Sequence, residues 1–168
     1  MLLWPGHLHV SQQMEPVRVL HERLAVNAVA ALPLPPTEVG RSSYGVLYFK
    51  WESPCPDIEA LWVSITSREV TLSCRISHTH FSVTHYRRRL TWRKLKYRIV
   101  RDGFNEAARF LAGEVAATIS YDGEGKPHSY GWAESSRLAE SLEYLRKVFG
   151  SEMTQRAWGW YGEVNANA

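Results

Sequence analysis

Residues 61 to 76 carry the pattern that most restricts what this chain can fold into. Leu61, Val63 and Ile65 place apolar side chains at odd positions, and Val70, Leu72, Cys74 and Ile76 place them at even positions. Trp62, Ser64 and Thr66, then Thr71, Ser73 and Arg75, fill the other face. Alternation with period two marks a strand with one buried face. A tight turn at Ser67-Arg68 pairs Ile65 with Val70, Val63 with Leu72 and Leu61 with Cys74. All the apolar residues then share one face, and a slip of one residue would turn every one of them to water. A second turn near Ser77-His78 places Phe81 opposite Cys74 and Val83 opposite Leu72. The hairpin lies within a longer run, Ser43 to Tyr86, that reads as four successive strands.

The flanks supply helices. From about Glu15 to Leu32, Val17, Leu20, Leu24 and Ala28 follow a helical spacing, and Pro16 suits a first turn. Pro33-Leu34-Pro35-Pro36 stops that helix, so residues 33–42 read as an extended connector. Tyr44 to Glu52 is apolar on both faces, which places it centrally or beneath a helix. His78 to Tyr86 makes the fourth strand. Residues 93–100 alternate too, with Leu95, Tyr97 and Ile99 against Lys94, Lys96 and Arg98. That pattern is strand-like, and a helix also accommodates it. Asp102 is positioned to N-cap an amphipathic helix carrying Phe104, Ala108, Leu111 and Val115.

Beyond it, Ile119 to Asp122 and His128 to Trp132 flank the turn-rich stretch Gly123 to Pro127, a hairpin signal. Ser135 or Ser136 then caps a helix with Leu138, Leu142, Leu145 and Phe149, and Gly150 suits its end. Residues 164–168 read as a frayed polar tail. The expected fold class is α+β: an antiparallel β-meander of four to five strands, covered on one face by helices, in a single domain spanning 1–168.

Composition narrows the function classes. The chain is 45% hydrophobic and 22% charged, as soluble globular proteins are. Two cysteines make no disulfide framework and favour a reducing compartment. The first residues lack the basic and apolar regions of a secretory signal, and no run is long enough to span a membrane. A cytoplasmic protein with no membrane partner is the expectation. The net charge of +3 hides an asymmetry. Residues 87–101 hold eight Arg or Lys and no acid, whereas the rest of the chain sums to −5.

Candidate chemistry is sparse. His78 and His80 share a strand face, but no third ligand stands at the spacing a zinc site needs. His85 falls on the face of Phe81 and Val83, where a core histidine is expected. Cys74 reads as a small core residue and Cys55, between two prolines, as a more exposed one. Neither has a base fixed beside it. Gly123-Glu124-Gly125-Lys126 is followed by Pro127 and reads as a turn, not a phosphate loop. No cofactor is implied.

The strongest functional signal is the basic block. Arg87, Arg88, Arg89, Arg93 and Lys94, continued by Lys96, Arg98 and Arg101, are interleaved with Trp92 and Tyr97. Cations with interleaved rings serve single-stranded nucleic acid, and equally an acidic protein partner. They also suit a solvated strand guarding its edge. Seven tryptophans are many for this length, and Trp158, Trp160 and Tyr161 form a second candidate anchor group.

The strand run Tyr44–Trp51, Leu61–Ile76 and Phe81–Tyr86, followed by the Asp102 and Ser135 helices, resembles in size and style the small immunity proteins of bacterial toxin systems, including contact-dependent growth inhibition. That resemblance implies a non-enzymatic inhibitor that binds a cognate toxin domain, and it carries no specific site residues. The net basic charge departs from the acidic inhibitors usual for basic nucleases, so neutralising a nuclease would fall to the acidic remainder, for example Glu134, Glu140, Glu143 and Glu152. A nucleic-acid-binding module using 87–101 and an enzyme of unrecognised type are the alternatives.

Overall fold

A computed structural model describes residues 20–86 and 90–165. Five strands, β1 (Glu38–Arg41), β2 (Leu47–Glu52), β3 (Ala60–Ile65), β4 (Glu69–Ser73) and β5 (His78–Ser82), pair in chain order as an antiparallel meander. The β3–β4 register is the one the alternation dictates, with Ile65 opposite Val70 and Val63 opposite Leu72. The next turn falls two residues earlier than expected, at Arg75-Ile76, where the Cys74 amide donates to the Ser77 carbonyl. Phe81 therefore faces Val70, not Cys74, and Thr79 faces Leu72. An even shift keeps Phe81 on the buried face, so the hydrophobic pattern tolerates it. Val83 to His85 leave the strand as a single 3-10 turn.

The connector expected at 33–42 contains an edge strand. β1 holds because Glu38 pairs across to Lys50, and the Tyr48 hydroxyl donates to Glu38. Gly40 makes room for the Tyr48 ring, since a Cβ there would lie 2.6 Å from Oη. With β1 outside it, β2 sits second from the edge.

Helices α1 (Leu20–Val29) and α2 (Trp92–Leu111) cover one face of this sheet. Residues 15–19 of the expected first helix lie outside the described residues. The buried face offers Phe49, Trp51, Leu61, Val63, Val70 and Leu72 to Ile99, Phe104 and Ala107. Gly103 lets α2 cross β4 closely, because a Cβ there would come within 2.7 Å of Val70 Cγ1. Arg41 grips Glu22 with two hydrogen bonds of 2.8 and 2.9 Å, tying β1 to α1.

A second antiparallel sheet completes the molecule. Strands β6 (Val115–Tyr121), β7 (Pro127–Glu134), β8 (Thr154–Gly159) and β9 (Gly162–Val164) run in the order β7-β6-β8-β9. The expected short hairpin is the β6–β7 part of it, and its Gly123–Lys126 turn is held by Asp122 Oδ1, which accepts from the Glu124 and Lys126 amides. Val164 belongs to β9, paired with Ala157, not to a frayed tail.

Helix α3 (Leu138–Phe149) lies between β7 and β8 in the chain. Ser135 and Ser136 do not cap it. They enter a preceding 3-10 turn, where Ser135 Oγ donates to the Gly113 carbonyl. One face of β6 carries Val115 and Ala117 into the main core. The other carries Ala116, which packs with Ala157 and Leu138 of α3.

Candidate partner-binding surface

The basic block lies on a helix. Leu95, Ile99, Gly103 and Ala107 recur every four residues and face the core, and this period runs unbroken across Asp102. Thr91 caps the helix, its hydroxyl accepting from the Lys94 amide at 3.5 Å. Asp102 is thus an internal residue, not an N-cap. Its carboxylate accepts from the Tyr86 hydroxyl at 2.9 Å and from Arg101 at 2.6 Å, and Arg98 stands 3.7 Å away. Burial, then the Asp102 partner, pushes the Tyr86 phenol up to about 12, so it stays a donor.

The first half of α2 turns its charge outward. Trp92 is 50% exposed and Tyr97 56%, with Arg93 and Lys94 beside them in solvent. Lys96 Nζ sits 5.0 Å over the Trp92 ring. No acidic residue occupies the first turn. Arg93 and Lys94 have no carboxylate partner among the described residues. A helix N-terminus already carries roughly half a positive charge, so cations there are held against the dipole. Arg87, Arg88 and Arg89 lie outside the described residues.

The second anchor group does not form at the surface. Trp158 and Trp160 are 4% and 3% exposed. Trp158 Nε1 donates to Asp57 at 3.1 Å with the Arg156 guanidinium 4.7 Å over its ring, and Trp160 packs edge-on to Phe110. Pairing of β8 with β6, a contact between segments far apart in the sequence, drives both rings inward. Tyr161 alone of the three is exposed, at 68%, in the β8–β9 turn.

The remaining candidates disperse. His85 is exposed, its Nδ1 accepting from the Ser82 amide, because the strand ends before it. Cys55 is buried where exposure was expected, since Ile58 and Glu59 fold back onto its carbonyl. Cys74 is partly buried against the core, and desolvation pushes its thiol up. His80 Nδ1 lies 3.1 Å from Thr71 Oγ1 and 3.8 Å from Glu69, with His78 edge-on at 5.0 Å. Among the described residues, no three His, Cys, Asp or Glu converge as metal ligands. No helix among them is long and apolar enough to cross a membrane.

Two features went unread in the sequence. The outward face of the first sheet aligns Glu38, Lys50, Trp62, Ser73 and His78 in one cross-strand row, with Tyr48 and Trp62 rings 5.2 Å apart. A groove of about 380 Å³ runs between α1 and α2. The Leu24, Ala28, Ala31 spacing signals the wall made by α1 and the turn after it, but the Tyr97 and Val100 part of the α2 wall stays hidden while 93–100 reads as a strand. Comparison with family models, with curated proteins and with solved structures returns no match.

Proposed function

We propose that this protein acts by binding another protein, without turnover, and that the N-terminal half of α2 is the surface that meets the partner. One observation carries the reading: Trp92 and Tyr97 stand exposed among Arg93, Lys94 and Lys96, at a helix end where Arg93 and Lys94 have no acidic partner among the described residues. In the isolated chain these cations oppose the helix dipole and the rings leave apolar area in water. An acidic protein surface with apolar contacts relieves both. Arginine beside large rings is also the composition of interface centres. Under the immunity-protein resemblance, the partner is a cognate toxin domain.

Single-stranded nucleic acid would use the same cations and rings. The charge outside 87–101 favours the protein instead. That remainder sums to −5, so a polyanion running past the patch meets a net acidic surface. A folded partner can confine its acidic groups to the patch.

The test is co-expression with the product of the adjacent gene, followed by co-purification and a growth-protection assay. A complex that dissociates when Arg93 and Lys94 are both changed to Glu supports the reading. Tight, steeply salt-dependent binding of single-stranded RNA or DNA in place of a protein complex replaces it with the nucleic-acid reading.

A further inference from the structure

The groove between α1 and α2 adjoins the basic face and shares two residues with it, Tyr97 and Arg101. From this continuity we infer that the groove receives an amphipathic helix of the partner, apolar on the side facing Leu24 and Ala28 and acidic along the edge facing Tyr97 and Arg101. The inference rests on the protein-binding reading above and names the element the partner inserts.

The lining argues for a helix. Small residues from both walls, Ala28 of α1, Ala31 just beyond it and Ala108 of α2, line the groove. Small side chains let a third helix approach closely and lay its ridge between two others. No strand lines the groove, so an extended segment would find no backbone edge to satisfy its amides. A helix satisfies its own.

The charge argues for acid. Arg98 and Arg101 both address the single carboxylate of Asp102, at 3.7 and 2.6 Å, which leaves one positive charge in excess there. Arg93 lies one turn before Tyr97 on the same helix, and adds a cation with no carboxylate partner among the described residues in line with that edge. An occupant with Glu or Asp along this side completes the balance.

The probe is a synthetic helical peptide of about 18 residues, five turns, with Leu on one face and Glu flanking it. Versions with Lys in place of Glu, and with a scrambled order, serve as controls. Binding is read by fluorescence anisotropy and by methyl shifts of Leu24, Ala28, Ala31 and Ala108 in the full chain. The Glu peptide is expected to bind with shifts confined to these methyls. Ala108→Trp, which fills the groove, should weaken it about tenfold or more, as should Arg101→Glu. Ala31→Trp at the exposed edge gives the same result should Ala108→Trp not fold. Tyr144→Ala on α3 should leave affinity within about twofold.

Equal binding of the Lys or scrambled peptide, indifference to the groove-filling variants, or no binding overturns the inference. So do groove methyls that contact residues 1–19, or that shift with protein concentration alone, because the groove then belongs to this chain or to a second copy. Loss of the adjacent-gene complex on Arg93→Glu/Lys94→Glu but not on Ala108→Trp sinks the groove and leaves the binding reading standing. Peptide binding in the groove with no protein complex does the reverse.

Discussion

The two halves of α2 differ in how their charges and rings are used. In the half from Asp102 to Leu111, Arg109 is surrounded by carboxylates, 3.2 Å from Glu106, 3.5 Å from Glu114 and 2.9 Å from Glu134. Phe104 and Phe110 are buried there, Phe110 with its ring centroid 4.6 Å from that of Trp132. In the half from Trp92 to Arg101 the rings are half exposed, and the first two cations have no carboxylate among the described residues. One helix therefore joins a section satisfied by its neighbours to one that the described residues leave unsatisfied. Such a difference within one continuous element cannot come from general composition. It is the contrast on which the proposed binding surface rests.

The largest effect expected is on the satisfied half. Phe110→Ala removes a ring packed against both Trp132 and Trp160 and should cost about 3–5 kcal/mol of stability by urea unfolding. Trp92→Ala should do the opposite. It should leave stability within about 0.5 kcal/mol and cost about 2 kcal/mol of partner affinity if the ring is an anchor. A Trp92→Ala protein that unfolds as readily as Phe110→Ala would erase the distinction between the halves. Gly103→Ala tests the contact with β4 at their junction. Alanine gains about 1 kcal/mol of helix propensity, but its Cβ meets a buried, branched Val70 at 2.7 Å. Overpacking of about 1–3 kcal/mol should leave a net loss of roughly 1 kcal/mol, and a stabilised variant would show that α2 does not seat on β4 as described.

How far these features could be read beforehand depended on pattern length and contrast. The β3–β4 pairing was legible because apolar and polar residues alternate sharply through Ile65 and Val70, and the register follows. Leu95 and Ile99 fit both a strand and a helix, and only the exposure of Tyr97 separates the two. The spacing on to Gly103 and Ala107 would have decided for the helix, had Asp102 not resembled a cap. The second sheet was read only as its β6–β7 hairpin. Ala116, Ala117, Thr118 and Ser120 give little polarity contrast, and β8 joins β6 only after α3 intervenes. That distant pairing is also what buries Trp158 and Trp160.

A smaller effect separates binding from folding in the exposed half. Changing Arg93 and Lys94 to Glu places acids in the first turn of α2, where the dipole favours them by about 0.3–1 kcal/mol each. The isolated protein should become slightly more stable while the complex weakens. Destabilisation instead would mean that these cations hold the fold together, and the case for an unsatisfied surface would fail.

The last and smallest effect concerns His21 on α1, which faces this half. It is 6% exposed, and its Nδ1 has no hydrogen-bond partner among the described residues. Burial holds its pKa below the usual 6.5, Lys96 pushes it the same way, and Glu22 opposes them in part. The sign follows from linkage. The unfolded chain takes up a proton near 6.5 and the folded one only at lower pH, so stability falls as pH drops below 6.5 and levels off once the folded state also protonates. His21→Gln should flatten that part of the pH–stability curve. Lys96→Met should shrink the loss and make it level off at a higher pH, because the charge beside His21 is removed and its folded pKa rises toward the unfolded value. An unchanged curve in both variants would mean that the α1–α2 contact does not feel the positive charge of the helix end, and the contrast between the two halves would then rest on Trp92, Arg93 and Lys94 alone.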